Sequence, residues 1–133
     1  LKKLTIAADL SEIDNVRQFL KDSLRGLPIS EENYFKIELA IVEICVNVIR
    51  YGYPERRGEI DIAIRNDRGR IAIEIRDSGV RFDPGSVSKP DIDEVIAAGG
   101  KGGLGIYLVR QIMDEFDYRW ENGQNILTLV KTI

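Results

Sequence analysis

The sequence predicts an α+β fold, a two-layer sandwich in which helices lie on one face of a mixed, mostly antiparallel sheet. Three observations carry this. Residues 59–65 and 70–76 each alternate apolar and polar side chains and are separated only by Asn66-Asp67-Arg68-Gly69, which reads as a hairpin with one buried face. Segments beginning at Ser11 and Ser30 carry apolar residues at helical spacing. The strands outnumber the helices that could cross over between them, which disfavours a doubly wound parallel sheet. The expected order is β-α-α-β-β-lid-α-β-β, in one domain over residues 1–133.

In chain order, residues 4–8 read as a short strand. Ser11 precedes Ile13, Val16, Phe19, Leu20 and Leu24, one apolar helical face, and Gly26 with Pro28 stops that helix. Ser30 offers a side-chain oxygen to the first turn of a second helix, with Glu31 and Glu32 near its positive end. This helix is expected to reach Tyr51, with Gly52 as a left-handed cap and Pro54 preventing continuation. Between Val80 and Lys101 the periodicity fades among Pro84, Gly85, Pro90, Gly99 and Gly100, so this stretch reads as a loop or lid. Within it, residues 91–98 could form a short helix. A helix over 104–116 follows, then a closing hairpin of 118–121 and 126–133 turned at Asn122-Gly123.

A chain of 133 residues, 44% hydrophobic and 31% charged, with four prolines, has the profile of one globular core rather than a disordered segment. Nineteen basic and twenty-two acidic residues leave a net charge of -3, which argues against nucleic acid as a partner. No apolar stretch approaches the roughly 20 residues that span a bilayer, and no signal-peptide core is visible, so neither a membrane partner nor export is expected. Cys45 is the only cysteine, which excludes an intramolecular disulfide and fits a reducing cytoplasm. With no histidine, His-based triads and phosphohistidine chemistry are absent from this sequence.

Three groups of residues could carry chemistry. In the second helix, residues 39–49 are apolar on nearly every side except for Glu43 and Asn47, four apart and therefore on one face, with Arg50 and Tyr51 a turn further on. Burying an unpartnered polar group costs about 1 to 3 kcal/mol, so this pair requires either a ligand-filled cleft or an internal hydrogen-bond network. In the strand ending at Asp77, alternation puts Ile71, Ile73, Ile75 and Asp77 on one face, leaving a carboxylate at the end of a buried apolar row. Gly79 follows and permits close backbone approach, although Asp-Ser-Gly is also an ordinary turn. Finally, Gly99-Gly100-Lys101-Gly102-Gly103-Leu104-Gly105 leads into a helix whose free N–H groups favour phosphate; a flexible linker is the alternative. Neither the dinucleotide fingerprint nor the Walker pattern applies, because no strand precedes the glycines and Gly102, not Ser or Thr, follows Lys101.

Together, Glu43-x-x-x-Asn47, then Asp77-x-Gly79 with Phe82-Asp83-Pro84, then Gly103-Leu104-Gly105 resemble, in order and spacing, the three boxes of the gyrase, chaperone, histidine-kinase and mismatch-repair ATPase superfamily. Tyr51-Gly52-Tyr53-Pro54 and Gln111-Ile112-Met113-Asp114-Glu115 are most similar to bacterial anti-sigma-factor serine/threonine kinases. The resemblance covers nearly the whole chain and implies a histidine-kinase-like ATPase fold that binds ATP and Mg²⁺. It implies that Asn47 helps coordinate Mg²⁺, Asp77 reads the adenine amine, Gly79 lines the base pocket, and Gly103 and Gly105 permit phosphate approach. Glu43 would be the general base, and Thr128 would assist at the base. Arg50, Phe82, Lys101, Gly102 and Leu104 complete the implied nucleotide-contacting set. Relatives commonly carry a basic residue just before Gly-Leu-Gly; here that place is Gly102, with Lys101 one step earlier.

The implied activity is transfer of the ATP γ-phosphate to a serine or threonine of an anti-sigma-factor antagonist, with a sigma factor as a further partner and a homodimer as the assembly. A nucleotide-gated binding module and an ATPase acting on water are the competing classes.

Overall fold

Alternation along the strands decides which side of the sheet is covered. A computed structural model describes residues 1–55, 57–82 and 104–133. Within them the chain forms β1 (Lys2–Ala7), α1 (Ile13–Ser23), α2 (Glu31–Asn47), β2 (Glu59–Asp67), β3 (Arg70–Asp77), α3 (Leu104–Ile112), β4 (Glu115–Glu121) and β5 (Gln124–Thr132). The sheet has the order β1-β2-β3-β5-β4, and every pairing is antiparallel, so the expected mixture resolves to a single direction rule. Opposed residues share a face: Ile62, Ile75 and Leu127 form one row, and Ile64, Ile73 and Leu129 the next. These rows pack with Val16 and Leu20 of α1, Ile37 and Ile41 of α2, and Ile106 and Val109 of α3 in one hydrophobic cluster. The other face carries Asp61, Arg65, Glu74 and Arg76. Among the described residues no helix is long and apolar enough to cross a membrane.

Both hairpins turn on two residues of positive φ, Arg68 (51°) with Gly69 (87°) and Asn122 (53°) with Gly123 (75°). Such paired values match the right-handed twist of the flanking strands. The first turn is thus tighter than the four-residue stretch suggested. Ser30 caps α2 as expected, its Oγ accepting from the Asn33 N–H at 3.1 Å. A 3-10 turn over Leu10–Glu12, capped by Asp9, precedes α1.

Two helix ends depart from the sequence reading. The α-helical part of α2 stops at Asn47, and Val48–Gly52 forms a π-helical turn closed by Tyr53 N donating to Val48 O at 3.1 Å. Gly52 is not left-handed, which corrects the expected cap; its carbonyl instead accepts from Val80 N at 2.8 Å. α3 ends at Ile112 rather than 116, and Phe116 lies in β4. The cause is tertiary: Asp114 N donates to Val130 O at 2.9 Å, and the Asp114 carboxylate accepts from Thr132 N at 2.7 Å and from Lys131 Nζ at 3.4 Å. These bonds draw the chain into the sheet. Most of the lid, the helix expected over 91–98 and the glycines from Gly99 to Gly103 lie outside the described residues.

The face assignment has a direct test. Ile73→Ala, in the central strand and fully buried, is expected to cost about 2 to 5 kcal/mol in urea unfolding, whereas Arg65→Ala on the opposite face should stay within about 0.5 kcal/mol. Similar small losses for both would mean that the helices do not cover this face.

Candidate functional site

The apolar surroundings of α2 leave Glu43 and Asn47 half-buried, and neither side chain has a hydrogen-bond partner among the described residues. An internal network would have supplied one. The first turn of α3 faces them: a Cβ built on Gly105 would lie 2.5 Å from Glu43 Oε2 and 3.9 Å from Asn47 Nδ2. Only glycine lets the backbone come this close without displacing the carboxylate. Asn47 also borders a cavity of about 390 Å³ whose apolar walls include Ile44, Ile75, Ile106 and Leu127. Tyr51, Val80, Phe82 and Tyr118 also line it.

The same cavity is lined by Asp77, 5% exposed. Its Oδ1 accepts from Gly79 N and from Asn125 Nδ2, both at 2.9 Å. Both bonds fall on Oδ1, and none from the described residues falls on Oδ2. Asn125, also 5% exposed, spends its whole hydrogen-bonding capacity here. Besides Asp77, Nδ2 donates to Val80 O at 3.0 Å, while Oδ1 accepts from Phe82 N at 2.9 Å and Tyr118 Oη at 2.6 Å. Sequence reasoning missed Asn125, yet the signal was present: alternation in β5 puts it on the apolar face with Leu127 and Leu129, as it puts Asp77 with Ile75.

The same register corrects two expectations. Thr128 pairs with Glu74 and Asp117 and lies on the sheet face opposite the cavity, whereas Asn125, opposite Asp77, lines it. Gly79 is not part of the cavity wall. A Cβ there would overlap the Gly52 carbonyl, so glycine is required for two backbones to meet, and Tyr53 Oη fastens the same loop by accepting from Ser78 N at 2.7 Å. Arg50 is exposed and outside the cavity lining. Phe82 lines the cavity while remaining 42% exposed. Leu104 opens α3; Lys101, Gly102 and Gly103 lie outside the described residues.

Burial pushes the Asp77 carboxyl above its ordinary value, against the opposing pull of the donors Asn125 and Gly79. Cys45 is pushed up to about 12, chiefly by burial and then by Asp77, so its thiol stays protonated and is no nucleophile. The cavity therefore sets the buried Asp77 carboxyl and the Asn47 amide among apolar walls, with Glu43 one turn before Asn47 on α2. That combination fits a flat ring bearing an amino group, extended by a polar tail.

Residues 6–131 match the histidine kinase-like ATPase domain. The chain belongs to this family. It is 30% identical over 95 residues to a protein named serine-protein kinase RsbW of Bacillus cereus, and 32% identical over 95 residues to its namesake in Bacillus anthracis. In each case the match covers 68% of this chain and 59% of the relative, so the chain corresponds to part of those proteins. Among solved structures, the RsbU and RsbW domains of a Mycobacterium tuberculosis protein share the fold with a TM-score of 0.64 at 18% identity, covering 99% of this chain and 32% of that one. A chain of the SiaB–SiaC complex of Pseudomonas aeruginosa superposes with a TM-score of 0.64 at 17% identity, over 98% of this chain and 88% of that one. Membership in the family implies ATP as the ligand, and the cavity volume lies within the range of small-molecule sites.

The raised carboxyl has a consequence for stability without nucleotide. A carboxyl whose folded pKa lies above its unfolded value of about 3.9 contributes stability below that value and loses it as pH rises through the folded one. Asp77→Asn removes that loss, so the variant's melting temperature should match or exceed wild type near pH 7, with the difference shrinking as pH falls toward about 3.9. A variant that gained stability only in acid would reverse the sign of the burial effect.

Proposed function

We propose that this chain is the ATP-binding, catalytic domain of a serine/threonine protein kinase of the anti-sigma-factor type, acting on a small antagonist protein in the cytoplasm. The observation that carries this reading is Glu43: a carboxylate without a partner among the described residues, one helical turn before Asn47 and against Gly105, where α3 begins. A nucleotide-gated binding module has no use for a free proton acceptor at that place. The name serine-protein kinase carried by the Bacillus relatives supports the same reading.

When bound, Mg²⁺ and ATP supply the phosphoryl group and the charge that neutralises it. Asp77 Oδ2 accepts from the adenine amino group between the apolar walls of the slot. Asn47 offers an amide oxygen to the metal, a ligand type that Mg²⁺ accepts alongside water and phosphate. No group of three or more acidic, cysteine or histidine side chains that could cage an ion exists among the described residues, which fits a metal held mainly by its nucleotide. Glu43 takes the proton from the attacking hydroxyl. By the family resemblance, Lys101, Gly102, Gly103, Leu104 and Gly105 belong to the phosphate end, Phe82 to the base end, and Arg50 to the rim. A sigma factor as second partner and a homodimer complete the proposal; β1, at one edge of the sheet, is the surface on which pairing would be sought by sedimentation.

Glu43→Gln keeps shape and removes the proton acceptor. Transfer to a serine-bearing partner in single-turnover assays should fall about 10²- to 10⁴-fold while ATP affinity holds; an unchanged rate would leave a binding module as the better description. Mg²⁺ should strengthen ATP binding in calorimetry, and Asn47→Ala should remove much of that gain. Equal metal dependence in both proteins would take Asn47 out of the metal's reach. Asp77→Asn should weaken ATP binding by about 1.5 to 3 kcal/mol, the scale of a hydrogen bond to a charged group.

A further inference from the structure

The four partners of Asn125 leave no freedom in its orientation. Phe82 N–H can only donate and Val80 O can only accept, so Oδ1 and Nδ2 are assigned by their neighbours. Nδ2 therefore reaches Asp77 Oδ1, which already receives the Gly79 N–H. Among the described residues, one carboxylate oxygen takes both protein donors and the other takes none.

This asymmetry bears on which base the slot accepts. The Watson–Crick edge of adenine presents one amino donor beside a ring acceptor, and a single carboxylate oxygen meets that donor. Guanine presents two parallel donors, its ring N–H and its 2-amino group, beside a carbonyl acceptor. It is best met by both oxygens of a carboxylate, as in other bidentate pairs. A carboxylate with one oxygen withdrawn cannot make that pair.

We propose that Asn125 is a specificity-determining residue: by holding Asp77 Oδ1, it restricts Asp77 to single-oxygen recognition and so excludes guanine nucleotides. The inference rests on the nucleotide site proposed above. Asn125 is a positioning residue in this role, since it acts through Asp77 and through the loop carrying Val80 and Phe82.

The test is the ratio of ATP to GTP affinity, measured by calorimetry for wild type, Asn125→Ala and Asn125→Ser, with thermal melts alongside. A purely structural role would weaken both nucleotides by the same factor. The proposal instead expects the ratio to fall at least roughly 10-fold in Asn125→Ala, the scale of one charge-assisted hydrogen bond, partly through tighter GTP binding. Asn125→Ser, whose hydroxyl can still donate toward Oδ1, should lie between. A ratio that stays constant while both affinities drop overturns the specificity role. A second readout needs no variant: the Asn125 side-chain amide protons should remain protected from exchange in the wild-type ATP complex. Their exposure on binding would mean that Asn125 releases Asp77, which also overturns the proposal. Wild type that binds neither nucleotide refutes the underlying site, an outcome distinct from wild type that binds ATP with a ratio insensitive to Asn125.

Discussion

A carboxylate at the end of a buried apolar row is the constraint around which this molecule is arranged. Asp77 continues the inward face of β3 after Ile71, Ile73 and Ile75, where an unsatisfied charge would be costly. The surroundings answer with two donors on one oxygen, and each donor fixes a piece of chain. Asn125 fixes the start of β5 opposite Asp77, and Gly79 fixes the loop that leaves β3. Satisfying the carboxylate fully would have been the better choice for folding alone. Leaving one oxygen without a donor from the described residues accepts a stability cost that a ligand can recover, since bound ligand shifts the folding equilibrium by mass action.

The second determinant is a contact between two backbones. Because the last turn of α2 widens into a π-helix, the Gly52 carbonyl meets Val80 N, and Gly79 lies against it with no room for a side chain. Single π turns inside or at the end of α-helices recur at functional sites, where they redirect a short stretch of backbone without ending the element. Here the effect is to join the helix bearing Glu43 and Asn47 to the loop following Asp77. The helix that bears Glu43 and Asn47 and the loop that follows Asp77 are thus tied by a main-chain bond, whose position does not depend on rotamer choice.

The other end of the slot works by contrast. Glu43 and Asn47 are polar residues on an otherwise apolar stretch of α2, and neither side chain has a hydrogen-bond partner among the described residues. The apolar walls between the two ends lower the local dielectric and strengthen whatever charge interactions form there.

Local sequence carried the strands, the Asn122-Gly123 turn, the Ser30 cap and the inward rows, because these depend on periodicity and on the backbone preferences of a few residues. It also singled out Glu43, Asn47 and Asp77, each a polar residue where the pattern demanded an apolar one. Asn125 broke the pattern in the same way, but its meaning depends on the β3–β5 register, a pairing between residues 48 positions apart. That register likewise turned Thr128 away from the cavity. The end of α3 was decided by Asp114 bonding to β5, and the role of Gly79 by Gly52 lying behind it, neither of which leaves a trace in neighbouring residues. The sequence by itself determined which residues are polar against an apolar background; only the tertiary structure decided which of them face one another, because that choice is made by hydrogen bonds between strands and backbones far apart in the chain.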